Sequence, residues 1–161
     1  MFSDETLDRA ARLIRVATDA GVMIATVESC TGGLIAGAIT SVAGSSAAFE
    51  RGFVTYTNKA KIEVVGVPKI ILNTHGAVSA ETAIAMAEGG LEICPADLSG
   101  GVTGVAGPGG GTPEKPVGTV AIAVAHRGKP SVCKIPRFDG DRTAVRLATV
   151  DQALEMMLAM L

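Results

Sequence analysis

An apolar run from Val22 to Val27 is followed in succession by Glu28, Ser29, Cys30 and Thr31, then by Gly32 and Gly33 and a helix-like segment from Leu34 to Val42. Within four positions the chain sets a carboxylate, two hydroxyls and a thiol. The first turn of a helix leaves its N–H groups unpaired and facing outward. Thr26 to Gly33 therefore reads as one strand-to-helix turn that offers a nucleophile beside a set of backbone donors. That combination suits an enzyme acting on an anionic small molecule better than a binding scaffold.

The common phosphate and hydrolase signatures are absent. No stretch supplies the Walker pattern G-x-x-x-x-G-K-[ST], and the glycines at 107–111 are interrupted by proline and open no helix, which excludes G-x-G-x-x-G. Ser29 has Val27 and Thr31 two positions away, so it is not a G-x-S-x-G elbow. A histidine base would have to be His75 or His126, and both lie in turn-like contexts. A lysine can serve instead if burial leaves its amine neutral. Lys59 and Lys61 follow Tyr56, the single tyrosine, just past a β-rich segment. If that segment lies beside the 22–27 strand, both ends reach one rim of the sheet, where ligands of α/β proteins bind. The alternative is that both lysines are solvated at a helix start.

Cys30 is the rival nucleophile, because helix N-termini favour thiolates; otherwise it is a small packed residue. Glu28 could accept loop amides or act as an acid. Lys115, Arg142 and Arg146 could each hold a phosphate or carboxylate, or be surface charges. The glycines of 107–111 could admit a ligand close to the backbone, or simply form a long connection.

The elements that must position these groups follow from pattern. Leu7, Ala10, Ala11, Ile14 and Ala17 share a helical face over 4–20, with Asp4 and Glu5 in the first turn and Gly21 beyond the end. A strand over 22–27 and a helix over 32–43 come next, closed by Gly44. Arg51 to Thr57 is β-rich, Asn58 to Lys61 is a loop or helix start, and Val67-Pro68 is a break. Ser79 caps a helix over 80–93, with Glu81 in its first turn. Strands are expected over 98–105, 117–125 and 132–138, and a terminal helix carries Leu147, Val150, Leu154, Leu158 and Leu161. Alternating elements in 161 residues predict one domain, 1–161, of three-layer α/β/α form. The run of strands across 98–138 makes the sheet mixed.

Composition narrows the class further. Hydrophobic residues are 48% of the chain but aromatics only 3%, so Ala, Val, Ile, Leu and Met must fill the core. Fourteen basic against 16 acidic residues, with no Trp, leave neither a basic face nor a stacking platform for nucleic acid. Three cysteines without C-x-x-C spacing, Cys30, Cys94 and Cys133, give no disulfide framework or zinc site. The acidic N-terminus is unlike a signal peptide, and no apolar run approaches a membrane span. The expectation is a soluble cytoplasmic protein with no membrane partner.

Seven ordered blocks carry a resemblance. They are Glu28 to Gly33, Ala43-Gly44-Ser45-Ser46, Arg51 to Tyr56, His75 to Ser79, Gly104 to Pro108, Lys115 to Val120 and Gly140-Asp141-Arg142. Together they resemble the CinA C-terminal domain family, whose members include stand-alone nicotinamide-nucleotide amidases, over about residues 5–160. The Gly109 to Gly111 stretch and Lys59 are idiosyncratic. The resemblance is to the C-terminal domain of full-length CinA proteins, so the functions of their N-terminal domain are not carried over.

The resemblance implies hydrolysis of nicotinamide mononucleotide to nicotinic acid mononucleotide and ammonia. It makes Ser29 the nucleophile, Lys61 its base, Tyr56 an aid to proton transfer or positioning, and Arg142 a contact to the reacting end or the phosphate. Backbone N–H groups from Cys30 through Thr31 and Gly32 to Gly33 would hold the oxyanion. Thr31, Ser45 and the loop from Gly104 through Gly107 to Gly111 would line the nucleotide site. No metal or cofactor is implied. The competing readings are a non-catalytic nucleotide-binding protein, a serine amidase of different substrate and, least supported, a DNA-related interaction protein. Residues 147–161 could pack internally or form a dimer face, and a homodimer is the expectation.

Overall fold

Hydrophobic alternation along the strands explains how the layers assemble. A computed structural model describes residues 2–161. In chain order its elements are α1 (Asp4–Ala20), β1 (Ile24–Glu28), α2 (Leu34–Thr40), β2 (Phe49–Val54), α3 (Asn58–Val65), α4 (Lys69–His75), α5 (Ala80–Ile93), β3 (Leu98–Gly104), β4 (Val120–His126), β5 (Lys129–Lys134) and α6 (Arg142–Met160). The sheet order is β2-β1-β3-β4-β5. β2, β1 and β3 run parallel, while β4 is antiparallel to both β3 and β5. This is the three-layer α/β/α arrangement with a mixed sheet that the pattern predicts.

β4 shows the logic in one line. Val120, Ile122 and Val124 face a core shared with Leu13, Ile35, Ile39, Leu154 and Met157 of α1, α2 and α6. Ala121, Ala123 and Ala125 face the other way, against Ala83, Ala87 and Leu91 of α5. The large side chains thus keep one helical layer at ordinary distance, and the small ones let α5 settle close to the sheet. At Gly101 of β3 an added Cβ would come within 2.5 Å of the Ala83 carbonyl oxygen and 2.6 Å of the Ala87 nitrogen. A core of alanine and glycine on one face is why so few aromatics suffice.

Several boundaries move from those expected. The first strand is displaced to 24–28, so Glu28 closes it and Ser29 opens the turn. The next helix is shorter, 34–40, because 29–33 is turn. The β-rich segment pairs over 49–54, and the last strand over 129–134, with only an isolated bridge between Thr119 and Arg137 beyond it. The strand expected over 117–125 pairs over 120–126. Pro68 does more than break the chain: it sits at the N-cap of α4, where its missing N–H costs nothing. In α6, Val145, Val150, Leu154 and Met157 are buried, whereas Leu147, Leu158 and Leu161 are half-buried at its margins. Among the described residues no helix is long and apolar enough to cross a membrane.

β1 lies between β2 and β3. Its connection to β2 passes through α2 on one face, and the return from β2 to β3 passes through α3, α4 and α5 on the other. Chains leaving the carboxyl ends of the adjacent strands β1 and β2 therefore diverge to opposite faces and open a crevice at that edge.

Candidate active site

Ser29 sits where β1 ends. Glu28 is in register with Val54 of β2 and Val102 of β3, and the Ser29 N–H donates to the Val102 carbonyl at 2.9 Å. The Ser29 position is thus tied to both parallel neighbours. Gly32 (φ 61°) and Gly33 (φ 95°) adopt the left-handed backbone that reverses the chain into α2. The buried Glu28 carboxylate accepts N–H bonds from Gly33 (3.0 Å), Ile35 (3.1 Å) and Ala36 (2.9 Å). Of the two roles open to it, Glu28 takes the structural one and caps α2.

That cap alters the expected donor set. The Gly33 N–H is occupied by Glu28, and the Gly32 N–H donates to the Ser29 carbonyl at 3.0 Å. Among the described residues, only the Cys30 and Thr31 N–H groups of this turn have no oxygen acceptor.

The candidate base, Lys61, comes from the segment that follows β2. The parallel pairing of β1 with β2 brings both strand ends to one rim, and Thr57 Oγ caps α3 by accepting the Ala60 N–H at 3.0 Å. One turn into α3, Lys61 points back into the protein and is 1% exposed. Its Nζ donates to Ser29 Oγ at 3.1 Å, to the Thr55 carbonyl at 2.8 Å and to the Tyr56 carbonyl at 3.5 Å. Burial lowers its pKa from the ordinary lysine value, because the ammonium loses water and gains no carboxylate. Lys59, two residues earlier, is solvated and pairs with Glu63 at 3.7 Å. The two lysines the sequence left together are separated by helical phase.

A cleft of about 210 Å³ opens above the serine, lined by Ser29, Cys30, Tyr56, Lys61, Gly104 and Arg142, together with Asn58, Ala77, Val78, Thr103 and Ala106. Arg142, at the start of α6, donates to the Tyr56 hydroxyl at 2.7 Å and to the Gly107 carbonyl at 2.9 Å. The Tyr56 hydroxyl therefore engages Arg142 at the rim rather than the serine or the lysine, a contact that suits positioning, the second of its two expected roles. Gly107 enters the site through that carbonyl and does not line the cleft.

Other expected residues lie elsewhere. Thr31 is fully buried, and Gly32 and Gly33 shape the turn without lining the cleft. Ser45 belongs to a short 3-10 turn before β2. It lies at the amino ends of the parallel strands, a strand length of about 15 Å from the crevice, and does not line the cleft. Arg146 donates to the Cys30 and Thr31 carbonyls and Lys115 to the His75 carbonyl, and neither lines the cleft. His75 pairs with Glu81, and His126 bonds the Arg127 carbonyl; neither approaches Ser29. Thr103 was missed, although it is the one hydroxyl in the Gly-Val-rich end of β3.

Cys30 lines the cleft, yet its thiol is pushed up to about 11, chiefly by burial and further by the nearby Glu28. Such a thiol stays protonated near neutrality and is a poor nucleophile. Electrostatics thus separates the two residues that spacing left level.

A doubly wound α/β domain with a buried lysine amine on a serine hydroxyl, at the carboxyl ends of its parallel strands, defines the class of protein. The chain belongs to the CinA C-terminal domain family, whose profile matches residues 7–161. It is 51% identical over 156 residues to a CinA-like protein of Citrifermentans bemidjiense, covering 96% of this chain and 36% of that protein. Against a CinA-like protein of Geobacter sulfurreducens it is 52% identical over 155 residues, covering 96% and 37%. The chain therefore spans little more than a third of the length of these curated relatives. Among solved structures, the competence/damage inducible protein CihA from Agrobacterium tumefaciens matches with a TM-score of 0.96 at 50% identity, covering 99% of this chain and 97% of that one. A CinA superfamily protein from Escherichia coli matches with a TM-score of 0.93 at 32% identity, covering 100% and 94%.

Proposed function

We propose that this chain is a serine–lysine amidohydrolase that converts nicotinamide mononucleotide to nicotinic acid mononucleotide and ammonia. One observation carries the chemistry: the buried Lys61 amine, with no carboxylate partner among the described residues, donates to Ser29 Oγ at 3.1 Å. Burial lowers the Lys61 pKa from its ordinary value, which favours the neutral amine that a general base must present. The substrate comes from the family resemblance, and a cleft whose rim carries Arg142 suits a phosphorylated ligand.

In this reading Ser29 Oγ bonds to the carboxamide carbon while its proton passes to Lys61 Nζ. The carbonyl oxygen becomes an oxyanion beside the Cys30 and Thr31 N–H groups. Lys61 returns the proton to the amide nitrogen, the C–N bond breaks and ammonia leaves an acyl-serine ester. Water then attacks the ester as Lys61 takes its proton, and collapse of the adduct releases the carboxylate and restores the serine. Arg142 retains N–H groups beyond those given to Tyr56 and Gly107, and these would meet the phosphate.

Ammonia release from nicotinamide mononucleotide by the wild type, Ser29→Ala and Lys61→Ala tests the proposal. Both variants should fall by about 10³-fold or more, and a chelator should leave the wild-type rate unchanged. Near-normal turnover by Ser29→Ala would remove the serine from its role. Ammonia release from other amides but not from this nucleotide would keep the chemistry and overturn the substrate.

A further inference from the structure

We infer that Arg146 is a positioning residue for the oxyanion site, holding the Thr31 amide toward the reacting carbonyl. The inference rests on the serine amidohydrolase reading above. Arg142 and Arg146 stand one turn apart on α6 and reach opposite sides of the Ser29 turn. Arg142 engages the rim, at Tyr56 and Gly107. Arg146 lies behind the turn, where Nε donates to the Cys30 carbonyl at 3.0 Å and Nη2 to the Thr31 carbonyl at 2.8 Å. It packs against the turn itself: a Cβ at Gly32 would sit 3.3 Å from Nη2. Among the described residues it has no carboxylate within salt-bridge distance, so its charge acts on these two peptide dipoles.

Peptide planarity turns that grip into an orientation. In a trans peptide the N–H points opposite to the preceding carbonyl. Drawing the Cys30 carbonyl toward α6 therefore drives the Thr31 N–H away from it. That N–H has no oxygen acceptor among the described residues, and it faces the Cys30 sulfur, which lines the cleft. The Thr31 carbonyl, held by the same guanidinium, sends the Gly32 N–H to the Ser29 carbonyl. One planar fork thus fixes two successive peptides immediately after the nucleophile. A lysine, as a point charge, could not hold both carbonyls in that geometry.

The test follows covalent capture of Ser29 by diisopropyl fluorophosphate with intact-mass detection, beside turnover of nicotinamide mononucleotide. In capture the Ser29 oxygen bonds to phosphorus, fluoride leaves and the hydroxyl proton goes to Lys61, with the phosphoryl oxygen at the oxyanion donors. Arg146→Lys and Arg146→Ala, each checked for wild-type circular dichroism, should be captured about 10- to 100-fold more slowly than wild type. Their kcat should fall by a similar factor with little change in KM, and added guanidinium should partly restore Arg146→Ala. Capture of either folded variant at the wild-type rate, or a raised KM at unchanged kcat, would overturn the proposal. Wild type captured at Ser29 but inactive on the nucleotide would remove the substrate reading and leave the Arg146 comparison decisive. No capture of the wild type would overturn both.

Discussion

Lys61 Nζ and Ser29 Oγ meet at 3.1 Å across 32 positions of sequence. The pairing is made by the backbone. β1 and β2 run parallel with Glu28 opposite Val54, so the residues just past each strand share one rim. Thr57 then starts α3 with a phase that turns its fourth residue, Lys61, inward.

The depressed pKa of Lys61 gives a signed pH dependence. Below that pKa the amine is protonated and cannot accept the serine proton, so kcat/KM should rise with pH through a limb whose midpoint lies below 10.5. Stability follows the same group. Between the folded pKa and the unfolded value of 10.5, the unfolded chain binds more protons, so stability rises with pH. Thermal melts of the wild type and Lys61→Met from pH 7 to 10 should show the wild type gaining on the variant as pH increases. Parallel curves would contradict a buried, uncompensated amine.

Cys30 should be inert. With a pKa of about 11, roughly one thiol in ten thousand is ionised at pH 7. Amidase activity should survive prolonged iodoacetamide at pH 7, with peptide mapping showing Cys30 unmodified. Rapid alkylation at Cys30 with parallel loss of activity would return the thiol to candidacy.

Glu28 holds the head of α2 through three buried N–H bonds. Glu28→Ala should cost about 3–4 kcal/mol in urea unfolding, because those donors lose a charged acceptor away from water. Glu28→Gln, which keeps one acceptor oxygen, should cost about 1–2 kcal/mol. A Glu28→Ala protein as stable as wild type would show that the turn relaxes without its carboxylate.

Gly101 marks the closest approach of α5 to the sheet. Gly101→Ala places a methyl 2.5 Å from the Ala83 carbonyl oxygen, which belongs to helix backbone and cannot rotate aside. A loss of about 2–3 kcal/mol in urea unfolding, with an unchanged denaturant slope, is expected. A neutral Gly101→Ala would mean that α5 can lift from the sheet.

The sequence by itself determined the layers and the placement of the chemistry on a strand-to-helix turn. Period-two runs such as Val120 to Ala125, caps such as Ser79 and the Glu28 to Gly33 turn are local patterns, and local patterns are written along the chain. It also offered Glu28 as a brace for loop amides, the role it has. Three matters depended on tertiary structure. Lys61 and Lys59 are indistinguishable until helix phase buries one and solvates the other. Cys30 and Ser29 are level until burial raises the thiol and brings a lysine amine to the hydroxyl. Arg142 and Arg146 look alike until α6 packs, when one meets the cleft rim and the other the back of the turn. Ser45 lies away from the cleft for the same reason: a motif shows which residues follow one another along the chain, whereas the direction of a parallel strand decides which end of the sheet they occupy. Depth, phase and strand direction are properties of the assembled layers, and they gather a list of reactive residues into one serine, one buried lysine and one turn held by Arg146.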